Sequence, residues 1–190
     1  MQTFKKYLQN FPHYTPKVFD EVKLLLSVKY ISEGDYFLRE GQICRSIGFI
    51  EQGLMRLFYL TDGKETTKCF CKENTITCSY RSFVTRQASD IAIQAVEDSK
   101  LLLLSYNDLQ KLYEKNPFWQ QLGRLVSESE YLITDSHHRF LSDLSATERY
   151  LQVLETDGEL LQRVPLQYLA SYLQIAPETL SRIRKKIART

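Results

Sequence analysis

Long hydrophobic runs are missing from this 190-residue sequence, whose longest aliphatic stretch is Leu101–Leu104, far short of the ~20 residues that cross a bilayer. Met1-Gln2-Thr3-Phe4-Lys5-Lys6 leads into no apolar signal segment, so the expected location is cytoplasmic. Cysteine is scarce: Cys44, Cys69, Cys71 and Cys78 are the only four, and none precedes residue 44. In a reducing compartment free thiols are expected rather than bridges. The three histidines offer no metal site. His13 stands alone, and adjacent His137 and His138 diverge by about 100° on a helix. With no further ligands placed nearby, no metal and no cofactor are expected. Also absent are a Gly-rich phosphate loop, a Gly-x-Ser-x-Gly elbow and a His-Glu-x-x-His pair, so no enzyme is expected.

What is present is enough apolar material for a real core, 43% hydrophobic and 25% charged residues, which excludes a disordered or fibrous chain. The net charge of +2 is unevenly spread. Residues 163–190 hold Arg163, Arg182, Arg184, Lys185, Lys186 and Arg189 against the single acid Glu178, a charge of +5, which leaves −3 for residues 1–162. Such polarity points to one part that meets a polyanion and another that does not.

Between Tyr30 and Ser105 the glycines Gly34, Gly41, Gly53 and Gly63 separate segments with a two-residue apolar period. That spacing predicts many short strands in a sandwich or barrel. Asp62-Gly63 predicts a type I′ hairpin turn, because both positions need positive φ. Before this region, Thr15-Pro16 followed by Val18, Phe19, Val22, Leu25 and Leu26 predicts a capped helix. After it the period changes. Asn107–Lys115 reads as a short helix stopped by Asn116-Pro117, and a second helix runs from Pro117 to about Asp143. On it Trp119, Leu122, Val126, Ser129, Ile133, Ser136 and Phe140 alternate by steps of three and four, a seam suited to a two-stranded helical contact. Packing on the chain's own sheet would use the same spacing. A helix of 27 residues spans ~40 Å, which favours a linker or dimer helix. Ala146–Glu155 predicts a further helix with Tyr150, Leu151 and Leu154 on one face.

The last two helices carry the most information. Val164-Pro165 opens a helix with apolar residues at 166, 169, 170 and 173; Gln174-Ile175-Ala176 breaks it; Pro177 opens a second. Two short helices across so tight a turn, with small Ala170 at the crossing, have helix-turn-helix spacing. Leu180, Ile183 and Ile187 form the inner stripe, and Glu178, Ser181, Arg182 and Lys185 the outer one. An arginine fork can hold O6 and N7 of guanine, and a carboxylate can accept from N4 of cytosine. Glu178, Ser181 and Arg182 are therefore the expected base readers, with Thr179, Arg184, Lys185, Lys186 and Arg189 on phosphates.

Leu169-Ala170-Ser171-Tyr172-Leu173 with Pro177-Glu178-Thr179-Leu180-Ser181-Arg182-Ile183-Arg184-Lys185-Lys186 resembles the DNA-binding end of Crp/Fnr-type transcription regulators, in particular the branch common in Bacteroidetes. Phe49-Ile50-Glu51-Gln52-Gly53-Leu54-Met55-Arg56-Leu57 and Asp62-Gly63-Lys64-Glu65 are similar to the family's β-roll sensor. The resemblance implies an α+β chain: a cyclic-nucleotide-binding-like jelly roll over 1–116, a dimerisation helix over 117–143 and an all-α helix-turn-helix domain over 144–190, here without a full wing. It implies double-stranded DNA, a second copy of the chain and RNA polymerase as partners, with no membrane and no known effector.

Members that bind a cyclic nucleotide use a Gly-Glu pair and an arginine about ten residues later, and those places fall here on Cys78-Ser79 and Ser89. Binding of cyclic AMP in the usual way is therefore not expected. Arg81 and Arg86, in between, read as solvated loop arginines or as cations for a differently placed anion. Cys69 and Cys71 share one face of a strand and read as core thiols. Gln174 and Ala176 stand where the family has a turn glycine and a capping hydroxyl. The alternative function is a small-molecule-binding or protein-interaction module whose helix-turn-helix does not regulate DNA.

Overall fold

A computed structural model describes residues 1–188; Arg189 lies outside the described residues. The strand-rich middle folds as two four-stranded antiparallel sheets. One has the order β1 (Ser27–Ile31), β8 (Ser99–Ser105), β3 (Ser46–Gln52), β6 (Ile76–Thr77); the other runs β2 (Tyr36–Leu38), β7 (Ala92–Ala95), β4 (Met55–Thr61), β5 (Lys64–Cys71). The β4–β5 hairpin turns at Asp62 (φ 51°) and Gly63 (φ 76°), the double positive-φ geometry that Asp-Gly favours. The inner faces supply one core, including Phe49, Ile50, Met55, Leu57, Ile93 and Leu101.

Helix α1 (Gln2–Gln9) escaped the sequence pattern, since only Phe4 and Leu8 mark its buried side. The Phe4 ring lies 5.0 Å from that of Phe49. Helix α2 (Pro16–Lys23) has Thr15 extended before it, but no side-chain capping bond forms there. Helix α3 (Tyr80–Thr85) crosses between β6 and β7, and α4 (Tyr106–Lys115) is capped by Ser105.

Helix α5 runs from Pro117 to Asp143, its start fixed by Asn116, whose side chain accepts from the Phe118 amide. Its seam is divided. Trp119 and Leu122 are buried with Phe118 in the roll core, Val126 packs against that core, and Phe140 is buried in a second core. Trp119, Leu122 and Phe140 thus face their own chain, because both ends of the stripe find apolar surface there. Between them Tyr131, Leu132 and Ile133 are 72%, 62% and 56% exposed.

Helices α6 (Ala146–Asp157), α7 (Leu160–Arg163), α8 (Leu166–Tyr172) and α9 (Pro177–Ile187) surround the second core. A capping box of Ser145 and Glu148 starts α6. Its buried residues are Tyr150 and Val153, while Leu151 and Leu154 are exposed. The inward stripe is therefore shifted from the expected one, towards α7 and α8. Leu54 and Val96 of the β-roll belong to this second core.

Candidate nucleic-acid interface

Helix α8 ends at Leu173, and the chain turns through Gln174 in the left-handed region (φ 53°) before Pro177 opens α9. Ala176, at the N-cap, has no side chain able to accept from the first amides. Leu169, Ala170, Leu173 and Leu180 are fully buried, with Ile183 nearly so, and Ala170 lets the two helices approach. Burial of that stripe turns Glu178, Ser181, Arg182 and Lys185 outward, all exposed. Arg182 Nε reaches the Glu178 carbonyl at 3.4 Å, which lays its guanidinium along the helix surface. Thr179 is half-buried and Lys186 exposed. Arg184 departs from the phosphate reading. Its guanidinium donates to the Leu161 carbonyl at 3.3 Å and sits 5.9 Å from the Tyr150 ring centre, because position 184 lies nearer the buried stripe than positions 182 and 185.

Helices α6, α7 and α8 are all fastened to the β-roll. Arg163 donates to both Glu73 and Glu97, at 2.8 and 2.7 Å, and also pairs with Glu159 at 3.2 Å. The Arg163 charge holds the Glu73 carboxyl below its ordinary range. Ser171 Oγ accepts from the Thr67 amide and donates to the Glu65 carbonyl, each at 2.9 Å. Lys72 pairs with Asp157 at 2.8 Å. Arg56, 1% exposed, lies between the rings of Phe58 (4.0 Å) and Tyr168 (3.6 Å) and donates to Glu65 and Gln94. Its Nε and Nη1 have no partner among the described residues. Phe70 meets Tyr172 edge-on at 5.6 Å, and His137 of α5 stacks on Tyr172 and Phe140 at 5.1 and 5.7 Å. Burial lowers the His137 pKa, with the charges of His138 and Lys68 adding to the effect, and raises that of Tyr172 to about 12.

Sequence reasoning missed this docking surface. Arg163 was counted with the basic tail, yet it is held by three carboxylates. Arg56 did carry a signal, a lone cation inside the apolar run Met55-Arg56-Leu57-Phe58.

In the roll itself, only Ser79 and Ser89 of the five candidate pocket residues come together. Ser89 Oγ donates to the Ile91 carbonyl at 2.7 Å and accepts from Ser79 Oγ at 2.8 Å. Both serines are buried and saturate one another. Arg86 is no solvated loop residue: in the left-handed region itself (φ 61°), it donates to the Cys44 and Phe83 carbonyls at 2.8 and 3.0 Å and stacks on Tyr106 at 4.4 Å. Arg81 is exposed and paired with Asp90 at 3.3 Å. Cys78 is half-buried, and burial pushes its thiol pKa well up. Glu130 of α5 faces Cys69, Cys71 and Cys78 electrostatically, and its own carboxyl is raised by burial. An open cavity of about 570 Å³ lies elsewhere, lined by Lys29, Phe37, Leu38, Arg45, Ser46 and Leu103 among others. None of the five lines it.

Residues 28–116 match the cyclic nucleotide-binding domain family. The chain is similar to FixK2 from Bradyrhizobium japonicum, with a TM-score of 0.76 at 17% identity over 86% of this chain and 85% of that one. A Crp/Fnr-family protein from Eubacterium rectale superposes with a TM-score of 0.75 at 13% identity over 96% of this chain and 88% of that one. CLP, the c-di-GMP-responsive global regulator of Xanthomonas campestris, gives 0.71 at 18% identity over 92% of both chains. No curated protein matches in sequence. The chain has the Crp/Fnr fold. No helix of the described residues is long and apolar enough to cross a membrane.

Proposed function

We propose that the protein is a homodimeric, sequence-specific DNA-binding transcription regulator. The observation that carries this reading is α9, seated by a buried stripe on α8 and presenting Glu178, Ser181, Arg182 and Lys185 together on its exposed face. A helix held this way enters a major groove, with Arg182 on guanine, Glu178 on cytosine and Ser181 beside them. Thr179, Lys185 and Lys186 meet phosphates; Arg184 instead braces α9 on α7. The second copy packs along the middle of α5, where Tyr131, Leu132 and Ile133 are exposed. Two recognition helices then lie about 34 Å apart, one turn of duplex. RNA polymerase is the further partner of a DNA-bound dimer.

The effector is not a cyclic nucleotide bound in the usual manner. Ser79 and Ser89 bond to each other and Arg86 is spent on carbonyls. A buried phosphate there lacks the charged partner it needs.

Electrophoretic shift of the full chain against duplex from the promoter of its own gene tests the reading. A shift competed weakly by random duplex is expected. No shift at low salt contradicts it.

A further inference from the structure

We propose that Cys69 and Cys71 form a thiol pair that a hydroperoxide oxidises to a disulfide, and that this bond releases α8 from the β-roll. The inference takes the helix-turn-helix of the proposed regulator as the part released. It starts from the two faces of β5. Cys69 pairs in register with Leu57 and Cys71 with Met55, and both cysteines pack with those residues against the roll core. Phe70, between them, points the other way and packs in the second core against Tyr172. On the same strand Thr67 and Glu65 hold Ser171. One strand therefore carries the thiols inside and the docked helix outside.

The two sulfurs are not equivalent. The neighbouring Cys71 thiol and the charge of Lys68 hold the Cys69 pKa below its ordinary value, while Cys69 and burial push that of Cys71 well up. Cys69 is thus the nucleophile. Its thiolate attacks one peroxide oxygen and the O–O bond breaks, giving Cys69 sulfenic acid and an alcohol, or water from hydrogen peroxide. The Cys71 sulfur then attacks the Cys69 sulfur; the S–O bond breaks, the S–S bond forms, and the hydroxyl leaves as water with the Cys71 proton. Two thiols are oxidised and one hydroperoxide is reduced. Both cysteines are half-buried, as is Cys78, whereas Cys44 is buried; the pair differs from Cys78 in having a second thiol two residues away on the same strand face.

The bond must deform the strand. Residues two apart in an extended strand have Cα atoms ~6.7 Å apart, at the upper limit of the disulfide range, whose most frequent value is ~5.5–6 Å. The Cβ atoms, which start about as far apart, must come within ~3.5–4.5 Å, so closing the bond bends the strand, and the peptide that absorbs this belongs to Phe70. Its ring then moves against Tyr172, and the ladder that aligns Thr67 and Glu65 with Ser171 is disturbed.

The test treats the full chain with stoichiometric hydrogen peroxide and reads two quantities. Peptide mass mapping is expected to show Cys69 and Cys71 joined, with the loss of two hydrogen masses. Hydrogen exchange is expected to show the amides of α8 exchanging about tenfold faster, an effect reversed by dithiothreitol. Cys69→Ser and Cys71→Ser should each abolish both responses, and comparison of oxidised with re-reduced wild type covers the case in which a variant folds poorly. Oxidation confined to Cys44 or Cys78, or a Cys69–Cys71 bond with unchanged α8 exchange, overturns the proposal. Neither readout uses DNA, so a failed duplex shift and a failed thiol switch are separate results.

Discussion

Arg182 and Gln174 show what single residues contribute. The Arg182 guanidinium lies on the exposed face of α9, bonded within its own helix to the Glu178 carbonyl. Removing it should leave the fold intact and cost about 1–3 kcal/mol of discrimination at one base pair, while weak, salt-sensitive affinity persists. Binding isotherms for Arg182→Ala on operator and random duplex check this; equal loss on both would contradict base reading. Gln174 sits at φ 53° without glycine's freedom, at a cost of roughly 1 kcal/mol. Gln174→Gly should therefore raise stability by about that amount in denaturant unfolding. The unusual turn and the uncapped Ala176 were both legible in the sequence, because Gln174 and Ala176 stand at positions whose backbone demands are known. The inward turn of Arg184 was not legible, since it depends on where Leu161 and Tyr150 come to lie.

At the scale of elements, strand periodicity, the Asp62-Gly63 turn and the proline-marked starts of α5 and α9 could all be read directly, because each rests on local backbone chemistry. The docking of α8 on β5 could not, since Thr67 and Ser171 are joined only by the tertiary fold. Arg163, at the end of α7 just before α8, ties the same region to Glu73 and Glu97. Arg163→Ala leaves Glu73 and Glu97 facing each other without a cation and should weaken the docking by about 2 kcal/mol. Faster hydrogen exchange in α8, with exchange in β3 and β8 unchanged, would verify this. His137 adds a pH dependence. Its pKa is lowered in the fold from an ordinary 6.5, so the unfolded chain takes up the proton first. Stability is full above that value and is lost as pH falls below it. A His137→Phe variant should show a shallower acid limb in thermal melts between pH 7 and 5, and an unchanged limb would assign the effect elsewhere.

For the molecule as a whole, the near-neutral charge of +2 conceals a division that the structure refines. Of the cations expected to meet a polyanion, Arg163 is committed to carboxylates of the β-roll and Arg184 to a carbonyl of α7. Arg182, Lys185 and Lys186 remain on the outer side of α9. In the proposed dimer, affinity for DNA draws on two copies of that short surface, held apart by α5. Sequence pattern assigned α5 a single seam, whereas its ends pack on separate cores and only its middle stays open, a partition set by tertiary contacts. Genome-wide recovery of DNA bound by the intact protein tests the central claim most directly. A two-fold symmetric motif is expected, its half-sites about one helical turn apart and lost in Arg182→Ala. Recovery of DNA without any shared motif, or of a motif unchanged by Arg182→Ala, would contradict it.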